Sequence, residues 1–331
     1  MSAEAGHNSV RPDTQPWLSV LMPTFNGARH LEEALHSIVE QSHTKNIEIL
    51  AVDDGSTDRT YEILSAFSEK LPLEIYRLPH SGNWVANINY ALERARGFYI
   101  TILHQDDRWA CERLKILYQL TQSWPQAVLF SHPVWFIDAC GHRLGMCSNP
   151  LSASPPLHTN TQVIERLLIQ NWIALPAPIF NRQVALSVGG MDTALLYSAD
   201  WDFWLKLINC GDLFYYPRPL AEVRIHPGSQ TIEISSDSER FNQELQTVFD
   251  RHMSIWRTRL RREDHIRKIG LCSIALNCAL ADAFHRRTVH AFRLSIRIFA
   301  LGPRGCYRLW RDTRIFQRTW PRLRLRREER R

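Results

Sequence analysis

Nothing in this sequence is apolar over a length that would span a bilayer. Met1 to Gln15 is polar and lacks the apolar core of a secretion signal, so residues 1–16 read as a disordered lead-in. None of the seven cysteines forms a Cys-x-x-Cys pair, and their number is odd. That usage argues against a zinc site or a disulfide framework and for a reducing, cytoplasmic setting. No internal repeat is present. A net positive balance is missing outside the tail: Pro303 to Arg331 holds eleven arginines against Asp312, Glu328 and Glu329, a surplus of eight in a chain of net +6. Everything before Pro303 is therefore net −2, and basic character belongs to the tail alone.

What is present suits a soluble globular protein: 331 residues, 44% hydrophobic and 22% charged, enough for one large α/β domain and a smaller appendage. Two stretches organise it. Ile47 to Asp53 and Phe98 to Leu103 are aliphatic, β-branched runs that end at adjacent acids, Asp53-Asp54 and Asp106-Asp107. Such runs read as buried parallel strands, and open α/β sheets bind ligands beyond the carboxyl ends of their strands. Four carboxylates brought to one crevice repel one another unless a cation or ligand donors offset them. The pattern points to a metal-assisted site for a phosphorylated ligand.

Around these runs the order is β-α alternation. Trp17–Met22 is expected as a first strand closed by Pro23, and Ala28–Gln41 as a helix. A helix follows Ser56-Thr57, a short strand spans Leu73–Leu78, and a helix opens after the His80-Ser81-Gly82-Asn83 turn. Arg108–Ser123 reads as a helix and Ala127–Phe130 as a strand. Cys140–Thr161 reads as a long surface loop, and Val163–Gln170 and Ala199–Leu207 read as helices. Short connections between these elements argue for a mainly parallel, Rossmann-like sheet flanked by helices, in a domain over 17–232. A helical region with an Arg-rich tail is expected over 233–331.

Pro23-Thr24-Phe25-Asn26, Val52-Asp53-Asp54-Gly55-Ser56-Thr57-Asp58, Gly97 through Asp107 and Ala199-Asp200-Trp201-Asp202-Phe203-Trp204 occur in an order that resembles family 2 glycosyltransferases. The resemblance covers roughly residues 17–231. It implies a GT-A fold with a helical C-terminal extension, a nucleotide-sugar donor (UDP-linked as first expectation), Mn²⁺ or Mg²⁺, and inversion at the anomeric carbon. It implies nucleotide contacts from Pro23, Thr24, Asn26, Asp53 and Asp54. Gly82 allows close approach, and Asn83 either touches the nucleotide or caps a helix. Asp58 reads as a cap, and Asp53 as a ligand contact in preference to an Asx turn.

The family's metal segment commonly reads Asp-x-Asp-Asp; here His104 takes its first place and Gln105 follows. A hard cation prefers oxygen, which makes Asp106 the expected ligand, with His226 matching a position near the metal or diphosphate. His104 and Gln105 are expected against ribose or phosphate, His104 reading equally well as a buried histidine. Arg224 meets the phosphates or forms a surface ion pair. A single displacement needs a base, and Asp200 matches the second acid of the family's Glu-Asp pair, whose first place is Ala199. Asp202 lies about 200° further round the helix. Trp201 and Trp204 stack on sugars or fill the core.

These implications describe an inverting glycosyltransferase acting on a glycan or lipid-linked acceptor. The rival is a nucleotide-sugar-binding module without catalysis, suggested by His104 and Ala199. A sugar-1-phosphate nucleotidylyltransferase would begin with a Gly-rich basic loop, which Pro23–Gly27 is not, and an EF-hand would need alternating ligands and a distal glutamate. The tail interleaves arginine with Leu294, Ile298, Leu309, Trp310, Ile315, Phe316 and Trp320. It admits three readings in order: peripheral attachment to an anionic membrane at its cytoplasmic face, a solvated end, and nucleic-acid contact.

Overall fold

The computed structural model describes residues 15–43, 45–226, 235–289 and 291–328. The first half follows the expected alternation. Strands β1 (Leu18–Thr24), β2 (Ile47–Asp53), β3 (Leu73–Arg77) and β4 (Tyr99–Ile102) are separated by helices α1 (Leu31–Val39), α2 (Thr60–Ser68) and α3 (Trp84–Arg94). Every residue of β1, β2 and β4 is buried, as continuous apolar strands covered on both faces should be. Strands β2, β1 and β4 run parallel side by side, with β3 parallel at the outer edge. The carboxyl ends of β1, β2 and β4 therefore open on one side of the sheet.

The second half departs from simple winding. In order come β5 (Arg108–Trp109), α4 (Arg113–Ser123), β6 (Ala127–Ser131), β7 (Val134–Ile137), β8 (Arg143–Cys147) and β9 (Leu157–His158). They are followed by α5 (Asn160–Leu167), β10 (Ile179–Asn181), α6 (Arg182–Ser187), α7 (Ala199–Asn209), β11 (Asp212–Tyr215) and β12 (Ala221–Arg224). The main sheet has eight strands in the order β3-β2-β1-β4-β10-β6-β11-β9, with β10 antiparallel to both neighbours. A second sheet, β5-β12-β7-β8, stands beside it.

Several expected boundaries move for identifiable reasons. Pro23 does not close β1: it sits beyond the end of β4, where its missing N–H interrupts no ladder bond, and pairs with Val52. The helix expected from Arg108 starts at Arg113, because Ala110 N–H donates to Leu220 O and draws residues 108–109 into the second sheet. Cys140–Thr161 is not a plain loop; it carries β8, which pairs antiparallel with β7, and β9. Helix α5 begins at Asn160 behind a Thr159/Gln162 capping box. Of the lead-in expected over 1–16, residues 1–14 lie outside the described residues, while Pro16 O accepts a hydrogen bond from Phe98 N at 3.0 Å.

From Ser238 the described chain is helical: α8 (Ser238–Trp256), α9 (Glu263–Phe284), α10 (Ala291–Phe299), α11 (Gly302–Thr313) and α12 (Ile315–Glu328). Helix α8 packs on α7, and α9 packs on α8. Asp312 of α11 is fully buried and receives Arg166, Arg308 and Arg311 at 3.1, 3.3 and 2.7 Å, which fixes α11 to α5. Helix α12 lies along β8: the Gln317 Oε1 accepts from Ser148 N at 3.0 Å, and Arg324 reaches Leu144 O. Among the described residues no helix is long and apolar enough to cross a membrane.

Candidate active site

A cleft of about 700 Å³ opens where β1, β2 and β4 end. One wall is the segment Pro23–Gly27 with Asp54 and Gly82; its floor carries His104, Gln105 and Asp106. Opposite stand Asn171–Pro176, Tyr197 and Asp200, with His226 at one side and Arg318 and Arg322 of α12 at the other.

Local chemistry holds the first wall rigid. Asp53 is fully buried: its carboxylate accepts from the Ser56 hydroxyl and more weakly from Ser56 N and Thr24 Oγ1, and Arg77 lies 3.7 Å away. It does not line the cleft, so of Asp53, Asp106 and Asp200 only the last two share the cavity. Asp54 does line it, and accepts from Ser81 N and Gly82 N, both at 2.9 Å. Burial works against its charge, but these amides outweigh it and hold the carboxyl below its ordinary range. Gly82 needs its positive φ of 68° for that donation. Asn83 caps α3 through Ala86 N and ties to Thr193 O, so the capping role is the one it takes. Asn26 accepts from Thr57 N, and Gln105 pairs with both Phe25 N and Phe25 O at 2.9 Å. Phe25 stacks on His80 at the cleft mouth, ring centroids 4.2 Å apart.

The acidic pair after β4 divides. Asp107 is buried and accepts from Arg224 N at 3.0 Å. Asp106 faces the cleft, with His226 Nε2 3.1 Å from its Oδ2. Burial opposes the charge on Asp106, but the hydrogen bond from His226 outweighs it and holds the carboxyl below its ordinary range. Arg224 does not reach toward a ligand: its buried guanidinium donates to Asp106 O, Asp138 O, Ala139 O and Glu33, shaping the loop that carries Asp106. His104 is half-buried against Trp84, and desolvation lowers its pKa and favours the neutral ring. His30, which no sequence signal marked, lies with its ring 5.7 Å from that of His226, and neither of its buried nitrogens has a hydrogen-bond partner among the described residues. The Asp106 carboxylate oxygen facing the cleft, with an imidazole nitrogen of His226 beside it, suits a divalent cation of the Mn²⁺ or Mg²⁺ class.

Asp200, in the first turn of α7, accepts from Asn171 Nδ2 at 2.9 Å and from Trp201 N at 2.7 Å. Burial pushes its pKa up to about 6 despite these donors. Trp201 and Trp204 are core residues, the Trp201 indole donating to Leu167 O, so neither presents a face to sugar.

Residues 19–146 match the family model described as Glycosyl transferase family 2. Over that stretch the chain is similar to glycosyltransferase family 2. An uncharacterized glycosyltransferase of Rickettsia typhi is 25% identical over 65% of this chain and 66% of its own length, so the chain spans just under two thirds of that relative. TuaG of Bacillus subtilis, named for teichuronic acid biosynthesis, is 40% identical over 30% of this chain and 40% of its own length. Among solved structures, S. aureus TarS 1-349 with UDP-GlcNAc aligns at TM-score 0.55 and 18% identity, covering 92% of this chain and 91% of that one. The Pyrobaculum calidifontis mannosyltransferase PcManGT, with GDP-Man and Mn²⁺, aligns at 0.55 and 20%, covering 95% and 89%. At these identities the structures establish the fold, which is of the GT-A type with a helical C-terminal region.

Among the cleft residues that the family pattern leaves unmarked are His30, Asn171, Tyr197, Arg318 and Arg322. His30 precedes a helix without a motif, Asn171 and Tyr197 fall between recognisable strings, and the two arginines sit in a tail whose composition drew attention to its surface.

Proposed function

We propose that this chain transfers a glycosyl group from a nucleoside diphosphate sugar to a hydroxyl of a glycan or lipid-linked acceptor, inverting the anomeric carbon. The observation that carries the reading is Asp200: a carboxylate with its pKa raised to about 6, in the cleft that also holds the Asp106–His226 pair. Pro23–Asn26, Asp54 and Gly82 form the wall for the nucleotide, with Gln105 bracing it. Asp106 and His226 would hold Mn²⁺ or Mg²⁺, which when bound offsets the charge gathering on a departing diphosphate. The acceptor oxygen attacks the anomeric carbon as Asp200 takes its proton; the bond from that carbon to the diphosphate oxygen breaks, and its electron pair leaves with the nucleoside diphosphate. One displacement inverts the centre. Asn171 orients the Asp200 carboxylate for the transfer. TuaG's name supports a cell-envelope polysaccharide as the setting.

Turnover with UDP-, GDP- and dTDP-sugars, with and without Mn²⁺, tests this. Asp200→Asn should abolish transfer and donor hydrolysis while nucleotide binding, read by titration calorimetry, persists. Binding without turnover for every donor would instead make the chain a nucleotide-sugar-binding module.

Attachment to an anionic membrane surface at the cytoplasmic face is proposed for the outer side of the C-terminal helices. Phe292, Ile296 and Phe299 of α10, Tyr307 and Trp310 of α11, and Phe316 and Trp320 of α12 are all at least half exposed, beside exposed Arg293, Arg297 and Arg304. Exposed aromatic and basic side chains on these helices suit the interface of an anionic bilayer. Phe292→Ser/Phe299→Ser/Trp310→Ser should lose co-sedimentation with phosphatidylserine vesicles; undiminished binding would remove the membrane reading.

A further inference from the structure

Arg318 and Arg322 are successive-turn neighbours on α12, and both line the cleft. Their placement is built. Pro321 packs against Gly145 of β8, where an added Cβ would lie 3.2 Å from the Pro321 ring, and Gln317 is bound by Ser148. With those two residues turned onto the hairpin, the next positions face inward.

Neither arginine has a carboxylate partner among the described residues. Arg318 donates to the Asn277 Oδ1 at 3.1 Å and weakly to Thr313 O; Arg322 donates only to Arg318 O, at 2.7 Å. Elsewhere in the chain arginines of similar burial meet acids directly, as Arg251 meets Asp202 and Arg308 meets Asp312. Burial lowers the Arg318 pKa, and the positive charge of Arg322 lowers it further. Two half-buried guanidiniums one turn apart, with no carboxylate partner among the described residues, repel one another until an anion joins them, and their planar forks match a carboxylate or phosphate.

The position of the pair decides which anion. Arg318 and Asp200 line both the main cleft and an adjoining pocket of about 120 Å³, whose wall also includes Asn171, Tyr197 and Asn277. Asp106 and His226 line the main cleft but not that pocket. No ion pair joins either arginine to Asp200 among the described residues, which leaves both signs of charge available, one to an acceptor's proton and the other to its anion. We infer that Arg318 and Arg322 form a subsite for an oxyanion carried by the acceptor, so that the acceptor is an anionic glycan or glycan phosphate and not a neutral sugar. The assignment rests on Asp200 marking the acceptor side.

Titration calorimetry with small anionic probes tests it on the full-length protein, independently of turnover. Glycerol 3-phosphate against glycerol gives the phosphate arm, and glucuronate against glucose the carboxylate arm. Wild type should bind at least one anionic probe and bind its neutral counterpart about tenfold more weakly or worse, the scale of a lost charged hydrogen bond. Arg322→Gln should remove that preference, Arg322→Lys should retain part of it, and Asp106→Ala should leave it intact. Arg318→Gln should act like Arg322→Gln; because Arg318 also holds Asn277, Arg322 alone decides the matter should that variant be unstable. Equal binding of charged and neutral probes, or binding unchanged in Arg322→Gln, would overturn the subsite. Loss in Asp106→Ala would move the arginines to the donor side. Anion binding that survives while Asp200→Asn keeps full turnover would refute the role of Asp200 as base and with it the acceptor assignment, leaving the arginine pair as an anion site alone.

Discussion

Asp200 and Asp202, two residues apart on α7, point in opposite directions and have opposite titration behaviour. Asp200 accepts from Asn171 in the cleft and is raised to about 6. Asp202 is fully buried and meets Arg251 at 2.8 Å, His252 at 2.9 Å and Lys206 at 2.8 Å. Burial disfavours its charge, but His252 and Lys206 outweigh it and depress its pKa far below the ordinary range. Two carboxyls whose environments drive them apart separate a reactive role from a structural one.

The pH dependence of transfer follows from the first of them. A base must be ionised, so kcat should be level above pH 7 and fall about tenfold per unit as pH drops below about 6. A pH–rate profile under saturating donor measures this. A descending limb displaced to pH 4 would mean that Asp200 is not the group that takes the proton.

Stability should respond to the two acids with opposite sign. The depressed Asp202 stabilises the fold above about pH 4 and loses that contribution as pH falls below it, because the unfolded carboxylate then binds protons first. Removing one member of a buried charge cluster costs about 3 kcal/mol. Asp202→Ala should thus lower Tm by several degrees at pH 7, with the gap narrowing in acid. The raised Asp200 makes the opposite contribution: as pH climbs from about 4 to 6 its ionisation weakens the fold. Asp200→Asn should lose no Tm at pH 8. Differential scanning calorimetry of both variants across pH 4–8 reads both signs.

Cation binding should depend on Asp106 more than on any other carboxylate of the segment. Asp107 is occupied by Arg224 N, so Asp107→Asn should keep Mn²⁺ affinity within a few fold, whereas Asp106→Ala should reduce it at least tenfold. His226→Ala and His30→Ala should each weaken it less. Electron paramagnetic resonance of free Mn²⁺ with nucleoside diphosphate present measures all four.

Arg113 offers a test of the cleft's rear support. Its buried guanidinium donates to Thr101 Oγ1, Pro176 O and Ala177 O, each at 3.1 Å, and lies over the Trp109 ring. Arg113→Ala strands these acceptors next to the Asn171–Pro176 wall, and should lower stability by about 3 kcal/mol. Urea denaturation gives the value.

The parts of the fold that could be read from the sequence are those whose signal is local. Continuous apolar runs ending at Asp53 and at the His104–Asp107 turn announced β2 and β4, because a strand buried on both faces has no polar alternation to confuse it. Strands such as β5, β9 and β10, two or three residues long, take their conformation from partners far along the chain and carry no period of their own. The site divides the same way. Asp106 and Asp200 sit within strings that survive as patterns, whereas Asp53 and Arg224 carry the expected residue types but are turned onto the protein by Ser56 and by the Asp106 and Asp138 carbonyls. Arg318 and Arg322 were hidden by composition: in a tail with eleven arginines, only packing against β8 turns these two toward the cleft.

That packing makes the cleft a joint product of distant parts of the chain. The nucleotide wall is built from the first hundred residues, but the opposite side is finished by a helix beginning at Ile315. A chain clipped before that point would lack the Arg318 and Arg322 guanidiniums, so the proposed preference for an anionic acceptor is carried by the last described helix.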